Sequence, residues 1–174
     1  MTVQRLRVPV GFLYAALFLY FSQPRPWLYA AGLLLALLGL LIRLWATGHL
    51  EKWQGLVTSG PYRYTRNPLY FGSFILGLGL TLAGSVVWLV VLYAVLFLAF
   101  YYPVMRREED ELQAGYQDPF PDYRKRVPLF FPALRPAWPK SDRRFSWTRV
   151  KANREYNAVL GFLILSLLIG IKMW

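Results

Sequence analysis

The 174-residue chain has no cysteine and a single histidine, His49. The first absence excludes disulfides, thiolate metal sites and cysteine nucleophiles, though it says nothing of compartment. The second excludes a metal centre built from several histidines, so no metal site is expected. Acidic residues are scarce as well, nine against twenty Lys and Arg, for a net charge of +11. A glycine-rich turn following a strand, the soluble solution to binding a nucleotide cofactor, is missing. Gly77 and Gly79 fall inside an apolar run, where they suit close helix packing. There is no internal repeat and no low-complexity tract.

Apolar residues are abundant and come in blocks. Hydrophobic residues make up 56% of the chain and aromatics 18%, and crossing a bilayer core takes roughly 20 apolar residues in a helix. Five candidate spans result: Val8 to Phe21, Trp27 to Ala46, Pro68 to Ala83, Gly84 to Tyr102 and Ala158 to Trp174. The first and third are short. Arg5 and Arg7 precede the first run as they would in a signal peptide, but Ser22-Gln23-Pro24-Arg25 offers no small-residue cleavage pattern. The expected fold is therefore all-α, a polytopic membrane protein of about five transmembrane helices forming one domain over 1–174.

Charge placement orients it. All Lys and Arg except Arg25 and Lys172 fall at the amino terminus, in Arg43 to Arg66, or in Arg106 to Arg154. These are alternate loops of a five-span chain, so the positive-inside rule puts the amino terminus and both polar segments in the cytoplasm. The carboxyl terminus then lies outside. With so many spans, the partner of the basic surface is the anionic lipid of the cytoplasmic leaflet rather than nucleic acid. Gln23 to Pro26 and Ala83-Gly84-Ser85 make short external turns. The second of these turns brings Arg66 and Arg106 back to one membrane face.

At that face the sequence SGPYRYTRNPLYFG, Ser59 to Gly72, sets two arginines, three tyrosines and two prolines at a span entrance. An isolated arginine at this place snorkels to phosphates, but Asn67-Pro68 fixes the first helical turn and is expected to restrain Asn67 to an extended conformation. Such rigidity favours binding. Beyond the next hairpin come Glu108, Glu109, Asp110 and Glu111, four successive acids beside anionic lipid. In a helix they point about 100° apart, so one or two face a shared pocket and the others pair with Arg106 or Arg107. Gly115 to Pro139 holds six prolines among aromatics; it cannot be one helix and is expected to form an ordered interfacial cover. The basic run 140–156 reads as a surface helix, with Ser141 or Asp142 as its cap.

The pattern from Gly60 to Gly72, then Glu108-Glu109 with Leu112, Tyr116, Tyr123 and Arg126-Val127-Pro128, resembles the isoprenylcysteine carboxyl methyltransferases and their phospholipid methyltransferase relatives. The resemblance covers about 43–132. It implies an integral membrane enzyme that uses S-adenosyl-L-methionine, held on the cytoplasmic side by the loop before the third span and the acidic motif after the fourth. Carried over by position, the cofactor contacts fall on Gln54, Gly55, Leu56, Val57, Tyr62, Asn67, Pro68, Leu69, Tyr70 and one of Glu108 or Glu109. Arg66 and Arg106 stand nearest the reacting groups. The family usually reads Arg-His-Pro where this chain has Arg66-Asn67-Pro68; asparagine can replace a neutral histidine as a hydrogen-bond partner but cannot take a proton.

Methyl transfer from a sulfonium is an in-line displacement in which catalysis is mainly alignment. A carboxylate acceptor needs no base, whereas an amine must lose a proton, to Glu108, Glu109 or a tyrosine. Arg66 or Arg106 can hold an acceptor carboxylate or phosphate. The acceptor is expected to be a lipophilic molecule or a lipid, and the sequence does not choose among a prenylated thiol acid, a phospholipid amine or another amphiphile. Two rivals remain: a membrane reductase using a nicotinamide cofactor, and a non-catalytic lipid-binding membrane protein. The sequence is silent on oligomeric state.

Overall fold

The computed structural model describes residues 3–51, 55–115 and 119–174. Among them the chain is all-α, with helices α1 (Val3–Phe21), α2 (Pro26–His49), α3 (Pro68–Ala83), α4 (Val87–Gly115), α5 (Phe120–Arg126), α6 (Trp147–Ala152) and α7 (Tyr156–Ile171), and a 3-10 turn at Gly60–Arg63. Two helices, α2 and α4, are long and apolar enough to cross a membrane; Pro9–Phe21, α3 and α7 are shorter apolar helices.

Proline opens both α2 and α3, where its missing N–H costs nothing and its fixed φ suits the first turn. These two helices form the tightest contact. Gly32, Ala36 and Gly39 of α2 meet Gly72, Leu76, Gly79 and Ala83 of α3 so closely that a Cβ at Gly32 would lie 2.5 Å from the Ala83 amide nitrogen. Surrounded by hydrocarbon, helices gain little from hiding apolar surface and associate by such van der Waals contact between small residues. Gly79 packs on Ala36 and Gly77 on Tyr93, as helix packing requires.

The helix expected from Gly84 begins at Val87, because Gly84 and Ser85 form the turn, Ser85 with φ of 61°. Helix α4 then continues without a break to Gly115, a length of about 43 Å at 1.5 Å per residue, well past the roughly 30 Å of a bilayer core. Its last turns carry the acidic run. Its buried residues, Leu89, Phe97, Met105 and Glu109, recur at spacings of eight and four and so define one stripe. Glu109 continues the face that the apolar residues bury.

Two turns and the carboxyl terminus meet at one end. The Gln23 amide donates to the Gly84 carbonyl (2.9 Å), the Arg25 amide to Ser85 Oγ (3.0 Å) and Lys172 Nζ to the Leu19 carbonyl (2.6 Å). The opposite end gathers the polar segments. Residues 128–138 run beside the entrance to α3 and complete its hydrogen bonds: Arg66 N–H to Pro128 C=O, Ala133 N–H to Tyr64 C=O and Ala137 N–H to Arg63 C=O, each 2.9 Å. Thr65 Oγ1 donates to the Phe130 carbonyl (2.9 Å) and Arg63 Nε to that of Trp138 (2.9 Å). Residues 128–138 are thus an ordered cover, with the short helix α5 just before them.

The basic run departs from expectation at its start. Ser141 and Asp142 precede a non-helical stretch, and helix α6 begins only at Trp147 with Ser146 in the cap position. Phe145 against Gly48 anchors the non-helical part. The run then satisfies the last carbonyls of α2, groups with no partner inside their own helix: Arg149 Nε donates to Gly48 (2.8 Å) and Asn153 Nδ2 to Leu50 (3.0 Å). Arg43, which falls both in the second apolar run and at the start of the polar segment, lies inside α2. It grips the buried Glu155 at the foot of α7 through two bonds, Nε to Oε1 at 2.6 Å and Nη2 to Oε2 at 3.1 Å, and also donates to Ser73 of α3.

Candidate functional site

A pocket of about 370 Å3 opens where the end of α2, the entrance to α3 and the extension of α4 converge, within the size range of small-molecule and cofactor sites. Gly55, Leu56, Val57, Tyr62, Arg66, Asn67, Pro68, Leu69, Tyr70, Glu108 and Glu109 all line it. Residues separated by the α3–α4 hairpin are therefore brought together. Gln54 and Tyr116 lie outside the described residues. Arg106 is not part of the lining; it stands half exposed behind Glu109.

Each wall has a local cause. Gly55 at φ of +87° and Gly60 at +57° turn the chain after α2, conformations open to glycine at no steric cost. A side chain at Gly60 would strike His49, whose Nδ1 bonds Ser59 Oγ at 2.9 Å. The sole histidine is thus a buried strut for this turn. Val57 and Tyr62 pack on Ala46, Leu50 and Leu69. Phe120, Tyr123 and Val127 close the other side against Leu56 and Leu112, and the Tyr123 hydroxyl donates to the Tyr62 carbonyl at 2.7 Å.

The polar centre is an arginine–glutamate–arginine group. Arg66 Nη1 is ion-paired with Glu109 Oε1, and Arg106 Nη1 meets Glu109 Oε2 at 3.1 Å. Glu109 is 3% exposed and Arg66 10%. Burial pulls the Arg66 pKa down from its ordinary value, while Glu109 opposes that shift. Arg66 Nε is buried with no hydrogen-bond acceptor among the described residues. Such an orphan donor is costly unless something accepts from it.

The other acids divide by helical angle. Glu108 Oε1 accepts from the Tyr70 hydroxyl at 2.6 Å, Glu111 pairs with Arg107 at 3.2 Å, and Asp110 is exposed. Asn67 gives its side-chain amide to the Leu129 carbonyl at 3.0 Å, so it ties the α3 entrance to the cover. Sequence reasoning missed several contributors: Leu50, Glu51, Met105 and Phe120 also line the pocket. Glu51 is faced by Arg149 at 3.5 Å and Arg143 at 3.8 Å. Only Met105 had a sequence signal, its register with Phe97 and Leu89 on α4. Tyr62 and Tyr123 have pKa values pushed above the ordinary tyrosine value, mainly by burial; both stay neutral hydroxyls.

Among the described residues the chain is all-helical, with two helices of membrane-spanning length and a pocket holding charged side chains at one end. A model of the phospholipid methyltransferase family matches residues 27–119, more than half the chain, and the chain belongs to that family. It is 38% identical over 137 residues to the nickel-cobalt-cadmium resistance protein NccN of Alcaligenes xylosoxydans xylosoxydans, covering 74% of this chain and 63% of that one. It is 37% identical over 137 residues to the cobalt-zinc-cadmium resistance protein CzcN of Cupriavidus metallidurans, covering 74% and 62%. The chain therefore spans a little under two thirds of the length of these curated relatives. No solved structure matches it.

Proposed function

We propose that this protein is an integral membrane methyltransferase that uses S-adenosyl-L-methionine and modifies a lipophilic or amphiphilic acceptor at the cytoplasmic face, with all five apolar helices crossing the bilayer. The observation that carries this reading is the convergence of Val57, Tyr62 and the Asn67–Tyr70 turn with Glu108 and Arg66 in one pocket. The residues fit the cofactor's chemistry. Three carboxylates and several aromatic faces line the space, a setting that favours a sulfonium and an ammonium, while Arg66 Nε has no acceptor among the described residues. When bound, the cofactor supplies an electrophilic methyl group on sulfur.

The chain's own residues then have separable tasks. Glu109, already neutralised by two arginines, holds Arg66 in place. Glu108, which accepts a hydrogen bond from Tyr70, is the pocket carboxylate we assign to meet an ammonium group or to take a proton from an amine acceptor. Arg66, with Arg106 behind, presents positive charge to an acceptor carboxylate or phosphate. Asn67, occupied with a backbone carbonyl, positions the turn and acts as no base.

Metal resistance is named in the relatives. Among the described residues no group of three or more His, Cys, Asp or Glu side chains could hold a metal ion. The direct test has two parts. Purified protein should bind S-adenosylmethionine or its demethylated product, and host lipids should show a methyl increment of roughly 14 Da that vanishes with Glu108→Ala. Binding of a nicotinamide cofactor instead would favour a reductase, and absence of both would leave a lipid-binding protein.

A further inference from the structure

The basic run after the cover holds a group of charges that methyl transfer does not use. From Lys140 to Tyr156 there are six Lys and Arg against two acids, Asp142 and Glu155, and Glu155 is already taken by Arg43. Two of the six are largely covered. Arg143 and Arg149 are 26% and 22% exposed, and the Nη1 of each faces the same oxygen, Oε2 of Glu51, at 3.8 Å and 3.5 Å. One carboxylate thus stands between two guanidinium groups, and positive charge is left over. Both arginines lie beyond residues 27–119, the part that matches the family.

The separations distinguish this group from a finished ion pair. Both exceed the length of about 2.7–2.9 Å that a charge-assisted hydrogen bond adopts, and Arg143 Nη1 is buried with no hydrogen-bond acceptor among the described residues. Such a donor is costly until an acceptor reaches it. Arg149 is the fixed member: its Nε donates to the Gly48 carbonyl at 2.8 Å and its Nη2 to the Arg144 carbonyl, which leaves Nη1 for an anion. The surroundings give the anion's chemistry. The pair lies near the foot of α7, where Trp147 and Tyr156 are exposed, aromatics of the kind that settle at headgroup level. Guanidinium forks match the oxygens of a phosphate, which a lipid headgroup and the aqueous phase both offer there.

We propose that Arg143 and Arg149 bind a phosphate group, and that its arrival relieves Glu51 of their charge and leaves that carboxylate to a cationic ligand of the pocket. Glu51 is the link because it also lines the pocket, next to Leu50, and the same segment holds the Gly48 and Leu50 carbonyls through Arg149 and Asn153. Phosphate occupancy then favours S-adenosylmethionine binding, and cofactor favours phosphate to the same degree. This coupling rests on the pocket being the cofactor site; the phosphate site does not.

The test uses the full-length protein in an uncharged detergent with two probes. Phosphatidylglycerol retained over phosphatidylcholine in native mass spectrometry identifies a lipid headgroup as the source, and saturable binding of radiolabelled inorganic phosphate identifies the free ion. Whichever signal is seen should fall about tenfold in Arg143→Gln, the loss of one charge-assisted contact, recover in part in Arg143→Lys, and change little in Lys151→Gln, an exposed cation of α6. Equal losses in Arg143→Gln and Lys151→Gln, or neither probe bound, would mean diffuse surface charge and overturn the site. With the bound probe present, S-adenosylmethionine affinity should rise about fivefold in the native protein and stay level in Glu51→Gln. An affinity indifferent to the probe would strike out the coupling. A native protein that binds no S-adenosylmethionine at all would instead refute the methyltransferase reading, with the phosphate measurements left standing.

Discussion

Arg66, just before the proline that opens α3, is ion-paired with Glu109 on the extension of α4, and both side chains are almost wholly buried. This pair fastens the two halves of the pocket. Removing one partner of a buried pair typically costs about 3–5 kcal/mol, because the other charge stays behind unpaired. Glu109→Ala should therefore lower the melting temperature in detergent clearly, whereas Glu108→Ala, which loses a Tyr70 hydrogen bond worth about 1.5–3 kcal/mol, should act on ligand affinity with a smaller change in stability. Equal melting temperatures for the two variants would remove Glu109 from its structural role.

Arg66→Lys separates holding from binding. Lysine keeps the charge opposite Glu109 but loses the planar fork and the Nε donor. Cofactor affinity should change little while methyl-transfer turnover falls at least about tenfold, the loss of one charge-assisted contact to the acceptor. Equal loss of both would move Arg66 into the cofactor's own contacts.

Asn67→His restores the residue usual in the family. Because Asn67 donates to the Leu129 carbonyl, an imidazole N–H able to reach the same oxygen should keep activity within a few-fold. Asn67→Ala should destabilise by about 1 kcal/mol with the pH–rate profile unmoved. A large gain on Asn67→His would show instead that the position must exchange a proton.

Tyr62 and Tyr123 make an alkaline prediction. Their pKa values in the folded protein are raised above the ordinary 10.0, by burial first and then, for Tyr62, by Glu108 and, for Tyr123, by Tyr62. Above pH 10 the unfolded chain loses these protons while the folded chain keeps them, so the stability they contribute is full below that value and declines as pH rises past it. Melting temperature should fall more steeply above pH 10 in the native protein than in Tyr62→Phe with Tyr123→Phe. The ultraviolet titration should show these two tyrosines silent until unfolding.

Topology can be read with cysteines, since the native chain has none. Cysteine at Gln23 or Met173 should react with an impermeant thiol reagent in intact cells, and cysteine at Thr58 or Ser141 should not. The Gln23 and Met173 positions belong together because Lys172 bonds the end of α1. Labelling of Thr58 from outside would invert the protein.

The apolar runs, the pocket segments and the ordered cover were all legible in the sequence, because each rests on local chemistry: blocks of hydrocarbon, Asn67-Pro68, and prolines among aromatics. The choice between Glu108 and Glu109 as the inward acid was not made, although the register of Leu89, Phe97 and Met105 on α4 carries it. The Arg43–Glu155 clamp and the contacts of Glu51 with Arg143 and Arg149 could not be found. A charge pair between distant segments leaves no periodic trace, and in a chain with so many basic residues each acid has many possible partners.

The lacing of residues 128–138 onto the α3 entrance also has a meaning in time. The Arg66 amide and the carbonyls of Arg63 and Tyr64 find their partners only in a stretch that leaves the ribosome after the whole of α4. Until then these backbone groups must be answered by water, and the pocket end of the protein is unfinished while the α3–α4 hairpin is already complete. Completion of the pocket end therefore comes late: a nascent chain halted before Pro128 would carry the whole of α3 and α4 yet lack every one of these partners.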